Sequence, residues 1–187
     1  MCIRDRRKDP AALSVGVATS IGNHIHTAIA KPLKAAGVNI AKMTVVPFKS
    51  SADSMTNLLG GHLDVVSASA INVAPLLKAG KIRVIAVASA ERLAGDLAGV
   101  PTWREQGVDA VYSSSQGVLG ARGLTPAQIR YWELTLKRLT DMPEWNAFLA
   151  RNHWKPHFLG HADALKFLDA ESATARSLLG EIGLLKK

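Results

Sequence analysis

Order in the chain begins at residue 13. Residues 13–17, Leu-Ser-Val-Gly-Val, form an apolar run of strand length. The small-residue loop Ala18-Thr-Ser-Ile-Gly-Asn23 follows. Ile25, Ile29, Leu33 and Ala36 then recur at helical spacing, which predicts a helix over 24–36. Pro32 has no N–H to donate and is expected to kink that helix or limit its regular part, and Gly37 is a natural stop. The β-branched stretch 43–47 predicts a second strand. Ser50 or Ser51 can cap the helix after it, because a hydroxyl oxygen accepts an orphan backbone N–H. That helix runs to about residue 59 and stops at Gly60-Gly61. A strand over 63–67, a helix over 71–79 closed by Gly80, and a strand over 83–87 complete the series. Strands alternating with helices at this spacing predict a parallel α/β sheet.

The pattern loosens over 89–107, and 111–119 reads as one or two extended segments. Beyond it the period is helical. Thr125-Pro126-Ala127-Gln128 is a strong helix start, with Thr as N-cap, Pro in the first turn and Gln closing a capping box. Ile129, Trp132, Leu136 and Leu139 form the apolar stripe of that helix. A shorter helix is expected over 143–151, and a last one over 161–179 with Leu165, Leu168 and Leu179 inward. The change near 112–124 separates an α/β unit from helices with wide apolar faces. Such faces need a sheet to cover, supplied either by the first unit or from outside this chain. No internal repeat and no low-complexity stretch is present.

Composition narrows this picture only in places. Of 187 residues, 48% are hydrophobic, enough for a core, and 20% are charged, too few for a disordered chain. Aromatic residues make up 5%, so the core must be aliphatic, with Trp103, Trp132, Trp145 and Trp154 packed into it. A net charge of +8 suits nucleic acid, an anionic membrane surface or acidic ligands. The basic residues are scattered, however, with local groups only at Arg4, Arg6, Arg7 and Lys8 and at Lys186-Lys187. No basic helix is interleaved with aromatics, so no nucleic-acid partner is expected. Cys2 is the sole cysteine, which rules out a disulfide within the chain and leaves no basis for a cysteine metal site. No apolar run approaches the roughly 18–20 residues of a membrane span. The start is charged and leads into no targeting segment, so residues 1–8 are expected to be non-native or disordered.

Candidate chemistry gathers where strands lead into helices. In open parallel sheets this carboxyl-end position is the usual ligand site, and a helix N-terminus favours an anion there. Thr19, Ser20 and Asn23 offer side-chain hydrogen bonds in the first turn, and Gly22 permits close backbone approach. His24 is expected to face the cleft as a donor or to cap its helix. The geometry recurs at Lys49 and Ser50, where Lys49 adds a positive charge, and again at Ser67 and Ser69. Each turn alone reads equally as an ordinary helix cap. Three of them at one sheet edge would make a cradle of donors. His24 and His26 invite a metal, but their spacing puts them on different sides of a helix with no acid or cysteine beside them, so no metal is expected. His62, beside Gly61, reads as a surface or turn residue. Enzyme motifs are missing: there is no nucleophile elbow, no phosphate loop, no His-Glu-x-x-His, and Asp53 and Asp64 stand apart. No cofactor is expected.

Val46-Pro-Phe-Lys-Ser-Ser-Ala-Asp-Ser-Met-Thr-Asn-Leu-Leu-Gly-Gly-His-Leu-Asp64 resembles a block of the tripartite tricarboxylate transporter receptors, also called TctC or Bug-type receptors. Ala79-Gly-Lys-Ile-Arg-Val-Ile-Ala-Val-Ala-Ser89, then Arg92, then Val100-Pro-Thr-Trp-Arg-Glu-Gln-Gly107, resembles a second block. Gly183-Leu-Leu-Lys186 is similar to the family's closing segment. The resemblance is colinear over about 9–187. It implies the type II periplasmic binding-protein fold, two α/β domains with a hinge and a cleft. Residues 9–115 would be the second, ligand-binding domain. Residues 116–187 would be the hinge return and the helical carboxy-terminal part of the first domain, whose amino-terminal stretch is expected upstream of this chain. It further implies a periplasmic, monomeric solute-binding receptor, not an enzyme. Such a receptor takes a small organic carboxylate to the membrane subunits of a tripartite transporter, with the 19–24 loop gripping the ligand. One departure is that the family's common Tyr-Lys-Gly is Phe48-Lys49-Ser50 here. Two other readings compete: a type II-fold sensory domain of a regulatory system, and a hydrolase built on Ser20 and His24, for which no orienting acid is evident.

Overall fold

A computed structural model of the chain describes residues 8–185. Residues 1–7 and 186–187 lie outside the described residues, so the expectation for the start (apart from Lys8) and the terminal Lys186-Lys187 pair fall there. The chain divides into two compact units: residues up to Ser113 together with those from Ala175 onward, and Ser114–Thr174.

The first unit is built on a three-stranded parallel sheet. Its central strand is β1 (Ser14–Ala18), flanked by β2 (Thr44–Phe48) and β3 (Val65–Val66) in the order β2-β1-β3. Val15 is in register with Val45 on one side and Val65 on the other. A central strand covered on both faces must be apolar throughout, and Val15 and Val17 are fully buried. The connections are α1 (His24–Ala35), a 3-10 turn over Ile40–Lys42, α2 (Ser51–Leu59) and, after β3, α3 (Ala70–Lys78). α1 continues for three residues beyond Pro32, which is itself buried. Ile29 of α1 lies where three apolar clusters meet. One contains Val15, Val17 and Ile25, one Ala36, Trp103, Val108 and Ala110, and one Ala30, Leu33, Val38, Ile40 and the distant Leu178.

Three strand expectations are corrected. The 63–67 strand shrinks to Val65–Val66, because the Asp64 carboxylate turns to accept from the Ser14 amide and hydroxyl, both at 2.8 Å. Residues 83–87 form no strand. Only Val87 pairs, in an isolated parallel bridge with Thr102. Two of the segment's carbonyls are met by groups outside any sheet: Gln106 Nε2 donates to Ile85 and the Trp103 amide to Val87. Val84 and Val87 are nonetheless inward, against Ala74, Leu97 and Val100, while Arg83 and Ile85 are exposed. Residues 111–119 also carry no strand, and Val118 and Leu119 are exposed.

The second unit is helical: α4 (Pro126–Thr140), α5 (Pro143–Arg151) and the first part of α6 (His161–Glu181). The capping box at Thr125 forms as its residues demand, with Gln128 and Thr125 each bonded to the other's amide. The expected apolar stripes are not inward, however. Trp132 of α4 is 51% exposed, Leu165 of α6 is 50% exposed, and Leu139 and Leu168 are also exposed. Trp154 is exposed and Trp145 half-buried, so of the four tryptophans Trp103 alone is a core residue. In the last part of α6, which belongs to the first unit, Leu178 is the buried residue and its neighbour Leu179 is half-buried.

Candidate functional site

Because all three strands run parallel, the turns that leave them lie on one edge of the sheet. The order β2-β1-β3 places Lys49 and Ser50 on one side, residues 19–24 in the centre, and Ser67 and Ser69 on the other. Two hydrogen bonds tie the flanking turns to the central one. The Thr19 amide donates to the Phe48 carbonyl at 2.7 Å, and the Ser67 hydroxyl donates to the Ile25 carbonyl at 2.8 Å.

The central turn is organised by Asn23. Its Oδ1 accepts from the His26 amide at 3.0 Å, which makes it the N-cap of α1. Its Nδ2 donates to the Ala18 carbonyl and to Thr19 Oγ1, both at 2.7 Å. Both amide protons are thereby engaged, so Asn23 shapes the turn from within. Thr19 sits at φ 64, a left-handed conformation that a β-branched residue adopts only when its surroundings impose it. Here the bonds from its amide and to its hydroxyl do so. Strain of this kind clusters at ligand clamps.

Gly22 is hemmed in by leucines of the returning chain. At φ 90 it occupies a conformation that L side chains rarely take. The close approach it permits is internal: a Cβ there would stand 2.8 Å from Leu179 and 2.9 Å from Leu184. Its amide donates to His26 Nδ1 at 3.0 Å. Sequence reasoning weighed His26 only as a metal ligand and missed this bond. The available signal was its place three residues after an Asn cap, where a side chain can reach back to a preceding amide.

What remains exposed or unpaired is compact. Ser20 and His24 are exposed, and the amides of His24 and Ile25, the first two of α1, have no acceptor among the described residues. Unpaired amides at a helix N-terminus carry partial positive charge and favour an anion. Lys49 is exposed beside them in the neighbouring turn. Ser50 Oγ caps α2 by accepting from the Asp53 amide at 3.1 Å, and the Ser67 hydroxyl is already donated, so these two act as framework. Ser69 precedes α3 with no side-chain cap bond. Among the described residues, no hydrogen bond joins Ser20 to a histidine, and no group of three or more His, Cys, Asp or Glu is placed to hold a metal. No helix among them is long and apolar enough to cross a membrane.

The family model for tripartite tricarboxylate transporter family receptors, TctC, matches residues 2–184. A UPF0065 protein encoded in the gbd 5′ region of Cupriavidus necator is 28% identical over 141 residues, covering 75% of this chain and 42% of that protein. Among solved structures, R. palustris Rpa4515 with adipate superposes with a TM-score of 0.76 at 26% identity, over 97% of this chain and 59% of that one. A TctC solute-binding protein from Polaromonas gives 0.73 at 21% identity, over 96% and 60%. The chain therefore spans about two fifths to three fifths of the length of the proteins it matches. The fold expected from the resemblance is the fold these structures share with it.

Proposed function

Since this chain belongs to the tripartite tricarboxylate transporter receptor family, we propose that it captures a small organic carboxylate in the periplasm and presents it to the membrane subunits of such a transporter, without chemical turnover. The observation that carries this reading is the 19–24 turn, where two unpaired helix amides and an exposed serine lie on the same sheet edge as an exposed lysine in the next turn. A carboxylate is the anion this arrangement suits. It is small, it accepts several hydrogen bonds, and it needs no counter-charge buried with it. The adipate bound by the R. palustris relative supports a dicarboxylate as the first ligand to try, and tricarboxylates such as citrate as the second.

One carboxylate would accept from the His24 and Ile25 amides and from the Ser20 hydroxyl, with the Thr19 hydroxyl proton available as a further donor. Charge-assisted bonds of this kind are about twice as strong as neutral ones. Losing one of them is worth about 1.5–3 kcal/mol, or roughly ten- to a hundredfold in affinity. Ser20→Ala is therefore expected to weaken binding by that factor without abolishing it, because the backbone donors survive. The check is a calorimetric and amide-shift titration with di- and tricarboxylates. A folded Ser20→Ala variant with wild-type affinity for the best ligand would place the carboxylate elsewhere. In this reading the turn is one jaw of a two-domain cleft, so the 187-residue chain on its own is expected to bind weakly.

A further inference from the structure

His26 occupies the third position of α1. In a capping box, the cap accepts from the amide of that third residue, whose own side chain reaches back to accept from a preceding amide. Both halves are present here. Asn23 Oδ1 accepts from the His26 amide, and His26 Nδ1 accepts from the Gly22 amide, each at 3.0 Å. The histidine does what Glu or Gln does in the usual box, one amide further upstream. An accepting Nδ1 has no proton, so the neutral ring carries its hydrogen on Nε2. The ring is 2% exposed and Nε2 has no partner among the described residues. Burial pushes the imidazole pKa down and so favours the neutral form that the bond requires.

Among the described residues, no ion pair or hydrogen bond joins the ring to a charged side chain. β1 and β3 carry no titratable side chain. On α1 itself, His24 is exposed, Lys31 lies over the Tyr112 ring, and Lys34 pairs with Glu181. Lys42 on the 3-10 turn and Arg176 on α6 are exposed, and Asp64 is engaged with Ser14 at the far end of β1. A proton added at Nδ1 would set two donors face to face and open the Gly22 bond.

We infer that His26 is a positioning residue of this turn: its neutral ring, acting through the Gly22 amide, holds residues 19–24 in the form that leaves the His24 and Ile25 amides open, and protonation releases them. The geometry stands without the receptor reading; its consequence for ligand affinity rests on that reading.

In the 187-residue chain, long-range proton–nitrogen spectra can follow the His26 ring while hydrogen exchange follows the Gly22 amide, from about pH 7.5 to about pH 4.5. The expected result is an unprotonated Nδ1 at neutral pH and a Gly22 protection that falls about tenfold as the ring gains its proton. His26→Gln, an acceptor that does not titrate, should keep the protection and remove the pH step. His26→Phe should lose the protection at every pH; if it does not fold, the wild-type titration and His26→Gln decide. A proton on Nδ1 at neutral pH, or Gly22 protection indifferent to the state of the ring, overturns the inference. Titrations with adipate and citrate, carried to concentrations that register weak binding, form the second arm. Affinity should drop with the ring's own midpoint in the wild type and not in His26→Gln, and identical pH profiles would remove the positioning role. If neither acid binds at any pH while the Gly22–His26 coupling is intact, the carboxylate reading fails and the inference about the turn stands.

Discussion

Asn23 shows how much one side chain can fix. It caps α1, holds Ala18 at the end of β1, and pins the strained Thr19 through its hydroxyl. Two substitutions separate these tasks. Asn23→Ala removes all of them and is expected to cost about 1–2 kcal/mol of stability, the usual range for losing a cap. Asn23→Asp keeps the accepting oxygen and suits the helix dipole, so the fold should survive. It loses both donors, however, and places a carboxylate where a carboxylate ligand is to sit. Thermal melts should therefore rank Ala below Asp, while ligand titrations should show Asp binding worse than Ala. The reverse ranking in the titrations would mean that no anion approaches this turn. Gly22 belongs to the same scale. Gly22→Ala meets both a left-handed backbone and the side chains of Leu179 and Leu184, and is expected to destabilise by about 1–3 kcal/mol. That loss should appear in denaturant unfolding with no ligand present. Sequence pattern marks Gly22 only as permitting close backbone approach on the ligand side; its packing against Leu179 and Leu184 is not legible there, because contacts between residues 22 and 184 leave no trace in local spacing.

Helices were more legible than strands, for a physical reason. A helix closes its hydrogen bonds within its own segment, so its caps can be read locally. Ser50, Thr125 and Asn23 all act at the starts that the pattern marks. A strand needs a partner, and 83–87 has the right residues but finds only loop groups for its carbonyls. The turn that follows carries its own charge logic. The Glu105 carboxylate accepts from the Thr102 amide at 2.7 Å and from Arg92, which together hold its pKa below the usual 4.5. Because the folded carboxyl ionises more readily than the unfolded one, this contribution is full above pH 4.5 and is lost as pH falls through the folded value. His26 adds an earlier step. Its ring takes up a proton less readily folded than unfolded, so stability begins to fall below pH 6.5. Denaturant midpoints measured against pH should fall in two stages. His26→Gln should erase the first stage and Glu105→Gln the second. A single stage that survives both substitutions would assign acid sensitivity to other groups.

At the scale of the whole molecule, the chain leaves its α/β unit at Ser113 and rejoins it at Ala175. The returning stretch is short but well placed. Leu178 is buried with Ala30, Leu33, Val38 and Ile40, Glu181 pairs with Lys34, and Leu179 and Leu184 back onto Gly22. Removing residues 175–187 exposes that cluster and takes away the wall behind the 19–24 turn. Losing one buried leucine side chain alone costs about 2–5 kcal/mol. The truncated chain is expected to melt well below the intact one and to show raised hydrogen exchange at residues 22–26. An unchanged melt would make the return incidental. The same arrangement sets an order of events during synthesis. The turn at residues 19–24 leaves the ribosome well ahead of the leucines that press on it. A nascent chain can lay down these parallel strands and cap α1 first, yet the grip of Gly22 between imidazole and leucine must wait until residues 179–184 emerge. A ribosome stalled before residue 175 should carry a sheet whose ligand edge is still unset.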